Sequence, residues 1–404
     1  MTAESPDEND NGTRPRSRRL LRPLAAVCGL IAVLAITTGI VVLQLEPELL
    51  PGISVESAEH RPDMVASTPI VPTATIDVTT PAQPSGPATI TVAAVGDMIF
   101  DRRVKTLMGA TSGSEPLSTV AEHLAAVDIA LGNLESPLSN RGTRDTGKSV
   151  TFRGDPLAIE GLALAGFDFL SLANNHVLDY GSDALADTLL LLDGAGIGHA
   201  GAGMDRTEAW TPSVADIDGT TVAFLSFSDI LPPGFVADDT HPGLAQSRYN
   251  MDSVEEAIRS AKSEYDYVIV SFHWGIEYVD DCNAEQVAGA HRAVDAGADM
   301  VMSHHPHVIQ AVEYYNGRLI AYSLGDFVFD HYSRKTGEAF ILDASLGPAG
   351  VSEVVITPVY LDTNGKPEYV HGTEASVILE RLQYISAKRG TTIAIDGDVA
   401  RVTP

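Results

Sequence analysis

The sequence predicts an α/β fold with a largely parallel central sheet, and three observations lead there. Short apolar runs alternate with amphipathic stretches of helical period along most of the body, the pattern of strands joined by crossover helices. Most of the apolar runs end within a residue or two of an Asp, Asn or His. After Glu338 the alternation gives way to strand-like segments that read as antiparallel. At 404 residues the chain is long enough to bury a sizeable core.

The first segment, 1–23, reads as a basic cytoplasmic tail ending in "RPRSRRLLR". Leu24 to Leu43 then runs for 20 residues without a charge, enough to span a bilayer core. The arginine flank predicts a cytoplasmic N-terminus and an exported body, so 24–45 is expected to be a single-pass transmembrane anchor in the cell membrane. A cleaved signal peptide is the rival, but "QLEPELLPG" follows the run without a small-residue cleavage site. Residues 46–88, rich in Pro and Thr, read as an extended extracytoplasmic stalk. Residues 89–404 form the expected folded domain. Of the two cysteines, Cys28 falls inside the anchor, so Cys282 has no partner for a disulfide within the chain.

Within the body the expected strands are 89–95, 128–131, 167–173, 221–227, 266–272, 299–303 and 319–324. Helical patterns run from Pro156 to Ala165, Asp183 to Gly194, Met251 to Lys262 and Ala284 to Ala296. The tail adds "EAFILDASL", "VSEVVITPVYL", a turn at Asn364-Gly365, a helix from about Glu374 to Lys388 and a last short strand.

Charge narrows the partners. The net charge is −28, and the first 45 residues contribute +1, so the remainder carries −29. Such a surface repels phosphate backbones, and nucleic acid is not an expected partner.

The strand ends carry the functional signal. "TVAAV" leads into Asp97, "DIAL" into Asn133 and Glu135, and "FDFLSLA" into Asn174, Asn175, His176 and Asp179. "DYVIVSF" leads into His273 and Glu277, "DMVMS" into "HHPH", and "LIAYSL" into Asp326. In open parallel sheets, ligands bind outside the carboxyl ends of the strands. Three of the chain's 12 histidines stand in "SHHPHVIQ", where Pro306 stiffens the loop so that His305 and His307 can face one pocket. Carboxylate, amide and imidazole donors suit a divalent metal such as zinc, manganese or iron. The competing reading is a polar hydrogen-bonding loop with no metal.

"VGDMIFDR", "GNLESPLS", "LANNHVLDYG", "SFHWGIEY", "SHHPHVIQ" and "YSLGDFVFD", in this order, resemble the motifs of the CapA family of poly-γ-glutamate capsule synthesis, a branch of the calcineurin-like metallophosphoesterase superfamily. The resemblance covers about Ile90 to Asp330. It implies a four-layer α/β/β/α sandwich with one or two divalent ions held by Asp97, Glu135, Asn175, His273, His305 and His307. It makes His176 and Asp97 the catalytic candidates, with Asn133, Asn174, Arg102, His304 and Asp326 expected around the substrate. Ile99 stands where the phosphoesterases carry histidine, and Asn133 replaces their bridging aspartate, with Glu135 two residues on. Within the CapA branch, Ser303 and Asp326 depart from the usual Gly and Asn.

The family setting implies a membrane-anchored protein making or exporting an anionic polymer, with other polymer-synthesis membrane proteins as partners and a polymer end or a phosphoester as ligand. Two function classes follow. One is an extracytoplasmic metal-dependent hydrolase of phosphorus or acyl centres, in which His176 moves a proton or stabilises charge. The other is a non-catalytic subunit that binds an anionic end group, aided by Arg102, Arg103 and Arg153.

Overall fold

The structure, a computed structural model, describes residues 87–403. The expected tail and anchor, and the stalk up to residue 86, lie outside the described residues. Among the described residues no helix is long and apolar enough to cross a membrane. Ala88, at the end of the expected stalk, is tied to the body: its N–H donates to Thr220 Oγ1 at 2.9 Å and its carbonyl accepts from the Tyr267 hydroxyl at 2.8 Å.

The chain runs through β1 (Ile90–Met98), α1 (Arg102–Ala110), α2 (Ala121–Leu124), β2 (Ile129–Leu134), α3 (Ala158–Leu164), β3 (Phe167–Ser171), α4 (Ser182–Ala195) and β4 (Gly198–Ala200). Next come β5 (Ala202–Gly203), α5 (Arg206–Trp210), β6 (Ser213–Ile217), β7 (Thr220–Ser228) and β8 (Gly243–Leu244), which pairs with β5. The second half follows with α6 (Met251–Glu264), β9 (Tyr267–His273), α7 (Ala284–Ala296), β10 (Met300–His304), β11 (Val312–Tyr315), β12 (Arg318–Ala321) and β13 (Asp326–Val328). The tail contributes α8 (Arg334–Gly337), β14 (Glu338–Gly347), β15 (Gly350–Leu361), β16 (Pro367–Tyr369), α9 (Thr373–Ala387), β17 (Thr392–Asp396) and β18 (Val399–Thr403).

Two sheets, rather than one central sheet, carry these strands. The first has the order β17-β18-β15-β14-β1-β2-β3-β4, with β13 beside β1 and β16 beside β15. Its β13, β1, β2, β3 and β4 are parallel, whereas β14 to β18 pair antiparallel. The second has the order β11-β12-β10-β9-β7-β6, parallel except at its two edge strands.

Strand alternation places the sheets face to face. Val92 and Ala94 of β1 share one core with Phe224 of β7 and Ile269 of β9, while Ala93 and Val95 share another with Leu162 of α3 and Leu185 of α4. The Phe169 and Phe224 rings stack across the two sheets at 5.3 Å. Ile258 of α6 and Ala293 of α7 belong to the inter-sheet cluster through the far side of the second sheet. Successive strands of both sheets are thus covered by helices, as continuous apolar strands require.

Local signals explain the elements. Asn283 and Gln286 form a reciprocal capping box at the start of α7, and Gly196 ends α4 with a left-handed backbone at φ +71°. Asn364-Gly365 makes the expected turn, with Gly365 at φ +85°. Three expectations shift. β1 and β2 run on past residues 95 and 131, so Asp97 and Asn133 lie inside paired strands rather than in loops. The expected strand 319–324 stops at Ala321, and Asp326 opens a separate strand beside β1. The expected last short strand is a hairpin, β17–β18.

Gly96 makes the closest approach in this region. A Cβ built there would lie 1.9 Å from the Gly325 carbonyl oxygen, and the Asp97 N–H donates to that same oxygen at 2.9 Å. Gly96→Ala forces the two backbones apart, and we expect a loss of about 1–3 kcal/mol in urea unfolding; an unchanged midpoint would show that the turn relaxes freely.

Away from the strand ends, His123 of α2 bridges to the antiparallel half of the first sheet. Its Nε2 lies 2.9 Å from Asp343 Oδ1 and its Nδ1 3.1 Å from the Tyr369 hydroxyl. The bond to Asp343 holds its imidazolium above the ordinary value, against partial burial. A raised folded pKa adds stability that is complete below the unfolded value of about 6.5 and is lost as pH rises through the folded value. His123→Gln is therefore expected to cost more at about pH 5 than at about pH 9 in urea melts; equal losses would exclude this proton linkage.

Candidate functional site

The parallel strands of both sheets end at one edge, and register aligns their last polar residues. Asp97 pairs with Asn133 on one side and Asp326 on the other. In the second sheet His273 is the register partner of His304. The edge therefore receives Asp97, Asn133, Glu135 and Asp326 from the first sheet, His273, His304, His305 and His307 from the second, and Asn174 to His176 from the end of β3.

Hydrogen bonds set the orientation. Asn133 Nδ2 donates to Asp97 Oδ1 at 2.8 Å, and Asn174 Nδ2 donates to Asn133 Oδ1 at 3.1 Å and to the Leu134 carbonyl at 2.9 Å. The His305 N–H donates to Asp97 Oδ2 at 3.1 Å. His307 Nδ1 lies 2.8 Å from Asp326 Oδ1, and His273 Nε2 lies 2.8 Å from Asn175 Oδ1. Glu135 Oε1 sits 3.7 Å from His273 Nε2 and 3.9 Å from His307 Nε2.

Two observations bear on metal. Both Glu135 oxygens, His273 Nδ1, both His304 nitrogens and His305 Nδ1 are buried without a hydrogen-bond partner, and an unpaired buried charge costs several kcal/mol. Glu135 with His273 and His305, and Asp97 with Glu135 and His307, each bring one donor atom apiece within 4.8 Å of one another. Glu135 belongs to both groups. A third group joins Glu277 to His305 and His307. Oxygen and imidazole donors in this arrangement fit a divalent cation.

The electrostatics agree. Burial, with the charge of Asp97 beside it, pushes the Glu135 carboxyl well above the usual carboxylate range. Burial, reinforced by neighbouring imidazoles, pushes His273 well down and His305 down to about 3, leaving neutral rings with free lone pairs. Burial also pulls on His307, but Asp326, Glu135 and Asp97 outweigh it and hold its imidazolium well above the ordinary value. Asp326 is pushed up to about 7 by burial, against the bond from His307. Asp97 is held low, since its contacts with His304 and His307 overcome burial.

Backbone strain concentrates here too. Four of the seven described non-glycine residues with positive φ are Arg102 (+53°), Tyr278 (+65°), His305 (+96°) and His307 (+55°). Each such residue costs of order 1–3 kcal/mol and persists where surrounding structure holds it, often at functional sites.

A cleft of about 480 Å³ opens beside these donors, lined by Asn175, His176, Glu277 and His307 among others. A larger groove of about 610 Å³ lies at His123 and Asp343 and contains none of the strand-end polar set. Of the residues expected around substrate, Arg102 alone lines the cleft, under a hydrogen bond to the Tyr332 hydroxyl at 2.9 Å. Asn133, Asn174, His304 and Asp326 are buried; Asn133, Asn174 and Asp326 hold backbone and donor side chains, and His304 Nδ1 lies 3.3 Å from Asp97 Oδ1. Arg103 points to the Thr363 carbonyl and Arg153 stacks on Tyr180. Ile99 is fully buried and clusters with Phe152, Phe329 and Leu361.

Asn175 and His176 face different ways. Asn175 reaches His273, while His176 enters the cleft with Nδ1 2.5 Å from Asp179 Oδ2. Burial lowers His176 to about 4, against the pull of Asp179. Asp179 stands three residues after His176 and was visible in the motif without a role. Lys148 gave no signal at all: it arrives from an exposed loop, ion-pairs with Asp179, donates to the Asn175 carbonyl and lies 3.3 Å from His176 Nδ1.

With this geometry in place, comparison with known proteins is decisive. The family model described as bacterial capsule synthesis protein PGA_cap matches residues 91–331. The chain belongs to the PGA_cap family. The matched stretch holds every strand-end residue named above. This PGA_cap chain is 32% identical over 267 residues to the PGA biosynthesis protein CapA of Bacillus subtilis (strain 168), covering 66% of this chain and 70% of that one. It is 30% identical over 286 residues to the capsule biosynthesis protein CapA of Bacillus anthracis, covering 70% and 69%. Among solved structures it is similar to a 5'-nucleotidase precursor from Thermus thermophilus, with 12% identity and a TM-score of 0.42 over 70% of this chain and 56% of that one.

Lys148 offers a direct test of the site's construction. Its side chain is only 15% exposed and it neutralises a fully buried carboxylate. Lys148→Met is expected to cost about 3 kcal/mol in urea unfolding by leaving Asp179 unpaired, with Lys148→Arg recovering part of the loss. A neutral Lys148→Met would show that the Lys148–Asp179 pair adds no net stability.

Proposed function

We propose that this PGA_cap chain serves synthesis or export of a poly-γ-glutamate-type capsule polymer through a metal-dependent hydrolytic site of metallophosphoesterase character. The observation that carries the reading is the Glu135 carboxylate, buried with both oxygens unpartnered among His273, His305 and His307, beside a cleft that His176 lines. Asp97, Glu135, Asn175, His273, His305 and His307 would hold one or two divalent ions. Glu135, which belongs to both donor groups, would supply the negative charge that Asn133 cannot. A bound divalent ion supplies Lewis acidity at a phosphoryl or acyl oxygen.

The chain's own residues then divide the work. Asp179 accepts a hydrogen bond from His176 Nδ1–H, which leaves Nε2 as the nitrogen available to the cleft. His176 moves a proton at the leaving or attacking oxygen from that atom. Arg102, at the cleft wall, receives an anionic group. We further propose that residues 24–45 anchor the chain, with the body outside the cytoplasm, where polymer and other membrane components of its synthesis meet. The relatives' names and the uncharged 20-residue span support this setting.

The test uses the full chain purified in mild detergent. Elemental analysis is expected to find a divalent metal, and His305→Ala with His307→Ala to release it. His176→Ala is expected to keep the metal and lose about 10²–10⁴-fold in turnover on a panel of phosphomonoesters, phosphodiesters and γ-glutamyl peptides with manganese. Metal loss in His176→Ala would reassign that histidine as a ligand. An inactive wild type across the panel would favour a binding subunit.

A further inference from the structure

The walls of the cleft are aromatic. Phe152 packs on His176 with centroids 4.3 Å apart and meets Phe329 edge-on at 5.7 Å. Phe329 packs on His307 at 5.0 Å, and His307 on Tyr278 at 6.1 Å. These rings form a continuous belt from the proposed proton-moving histidine to the rim. Phe152 and Phe329 are buried and belong to the core, but Tyr278 is 56% exposed and Tyr332 71% exposed at the mouth. Val150 lines the same mouth, and Ile276 and Val279 flank Tyr278. Three of the 13 exposed large hydrophobic side chains among the described residues, Val150, Tyr278 and Tyr332, therefore line one opening.

This concentration is not a consequence of folding. The Tyr278 N–H is held by the Pro306 carbonyl at 2.8 Å, and Tyr278 has a left-handed backbone, so its ring is fixed at the rim at a conformational cost. Tyr332 is held by Arg102, whose guanidinium also lies 4.6 Å from the Phe152 ring centre. Cation and rings thus form one surface, on a chain whose net charge is −28. An unbranched polyanion would use the arginine and leave the tyrosines in water. A ligand that joins an anionic centre to a planar apolar group would use both.

We infer that the cleft selects an amphipathic anion, in which a phosphoryl or carboxyl group at the donor cluster is bonded to a planar or apolar moiety seated against Tyr278 and Tyr332. This goes beyond the proposed function, since the ligand of the cleft is then not the polymer chain itself, and rests on it only for the anion-binding half. Ring-on-ring contact adds selectivity on top of burial, and together they are expected to favour such a ligand about ten-fold over its apolar-free analogue.

The probes are phenylphosphonate and methylphosphonate, which share the anion and differ only in the ring. Each is titrated calorimetrically into the manganese-supplemented full chain. The wild type is expected to bind phenylphosphonate about ten-fold more tightly, and Tyr278→Ser to bring the ratio near one, while Tyr332→Phe, which keeps the ring, retains it. Tyr278 is exposed, so its replacement does not threaten the fold. Equal affinities in the wild type would overturn the inference and leave the hydrolytic reading standing. A ring preference that survives Tyr278→Ser would overturn the seat assigned to the ring. Failure to bind either phosphonate would overturn the inference together with the anion-binding half of the proposed function.

Discussion

A carboxylate buried with neither oxygen hydrogen-bonded is the constraint around which this site is organised. Glu135 lies at the carboxyl edge where two parallel sheets meet, fully excluded from water. Its neighbours are imidazoles that burial keeps neutral, and they offer lone pairs rather than protons. Only His307 is drawn toward the charged form, because three carboxylates surround it. Burial raises the Glu135 carboxyl, and a divalent cation among these donors would offset that cost, so donor chemistry and electrostatics fit the same ligand.

The fold makes this concentration possible by duplicating one device. A parallel sheet brings all its strand ends to one edge, and two such sheets packed face to face bring two sets of ends to the same place. Register refines the placement: Asp97, Asn133 and Asp326 lie abreast in the first sheet, as His273 and His304 do in the second. The contact of Gly96 with the Gly325 carbonyl lets β1 and the turn before β13 approach closely enough for Asp97 and Asp326 to share His307. Positive φ at His305 and His307 then turns both side chains back toward the carboxylates. Stability is spent locally to aim the ligands, and the packed sheets supply the rigidity that maintains it.

The cleft shows a division of labour among residues of like type. Asn133 and Asn174 brace Asp97 and the backbone from below, whereas Asn175 reaches the donor group. Arg102 lines the cleft, while Arg103 and Arg153 are occupied elsewhere. Lys148 lines the cleft and joins Asp179 to the Asn175 carbonyl, so linking the loop wall to both the donor group and His176.

The sequence by itself determined the alternation of strands and helices, the polar residue at each strand end and the histidine-rich loop, because these are local patterns with local causes. Apolar period dictates element type, and turn chemistry dictates where elements stop. Thus α7 was legible to the residue, Ala284 to Ala296. The family resemblance also rested on short motifs that need no fold to be read. What only the tertiary structure decided was pairing and depth. Nothing local says that β1 continues through Asp97, that Asp326 opens a strand beside it, or that Lys148 lies against Asp179 from an exposed loop. The motifs set Asn175 apart from Asn174 and put Arg102 near the substrate, but they do not say that Asn174 lies buried or that Arg103 turns to the Thr363 carbonyl. Those distinctions depend on which side chains the packed sheets leave facing the cleft, a property of contacts between segments far apart in the chain.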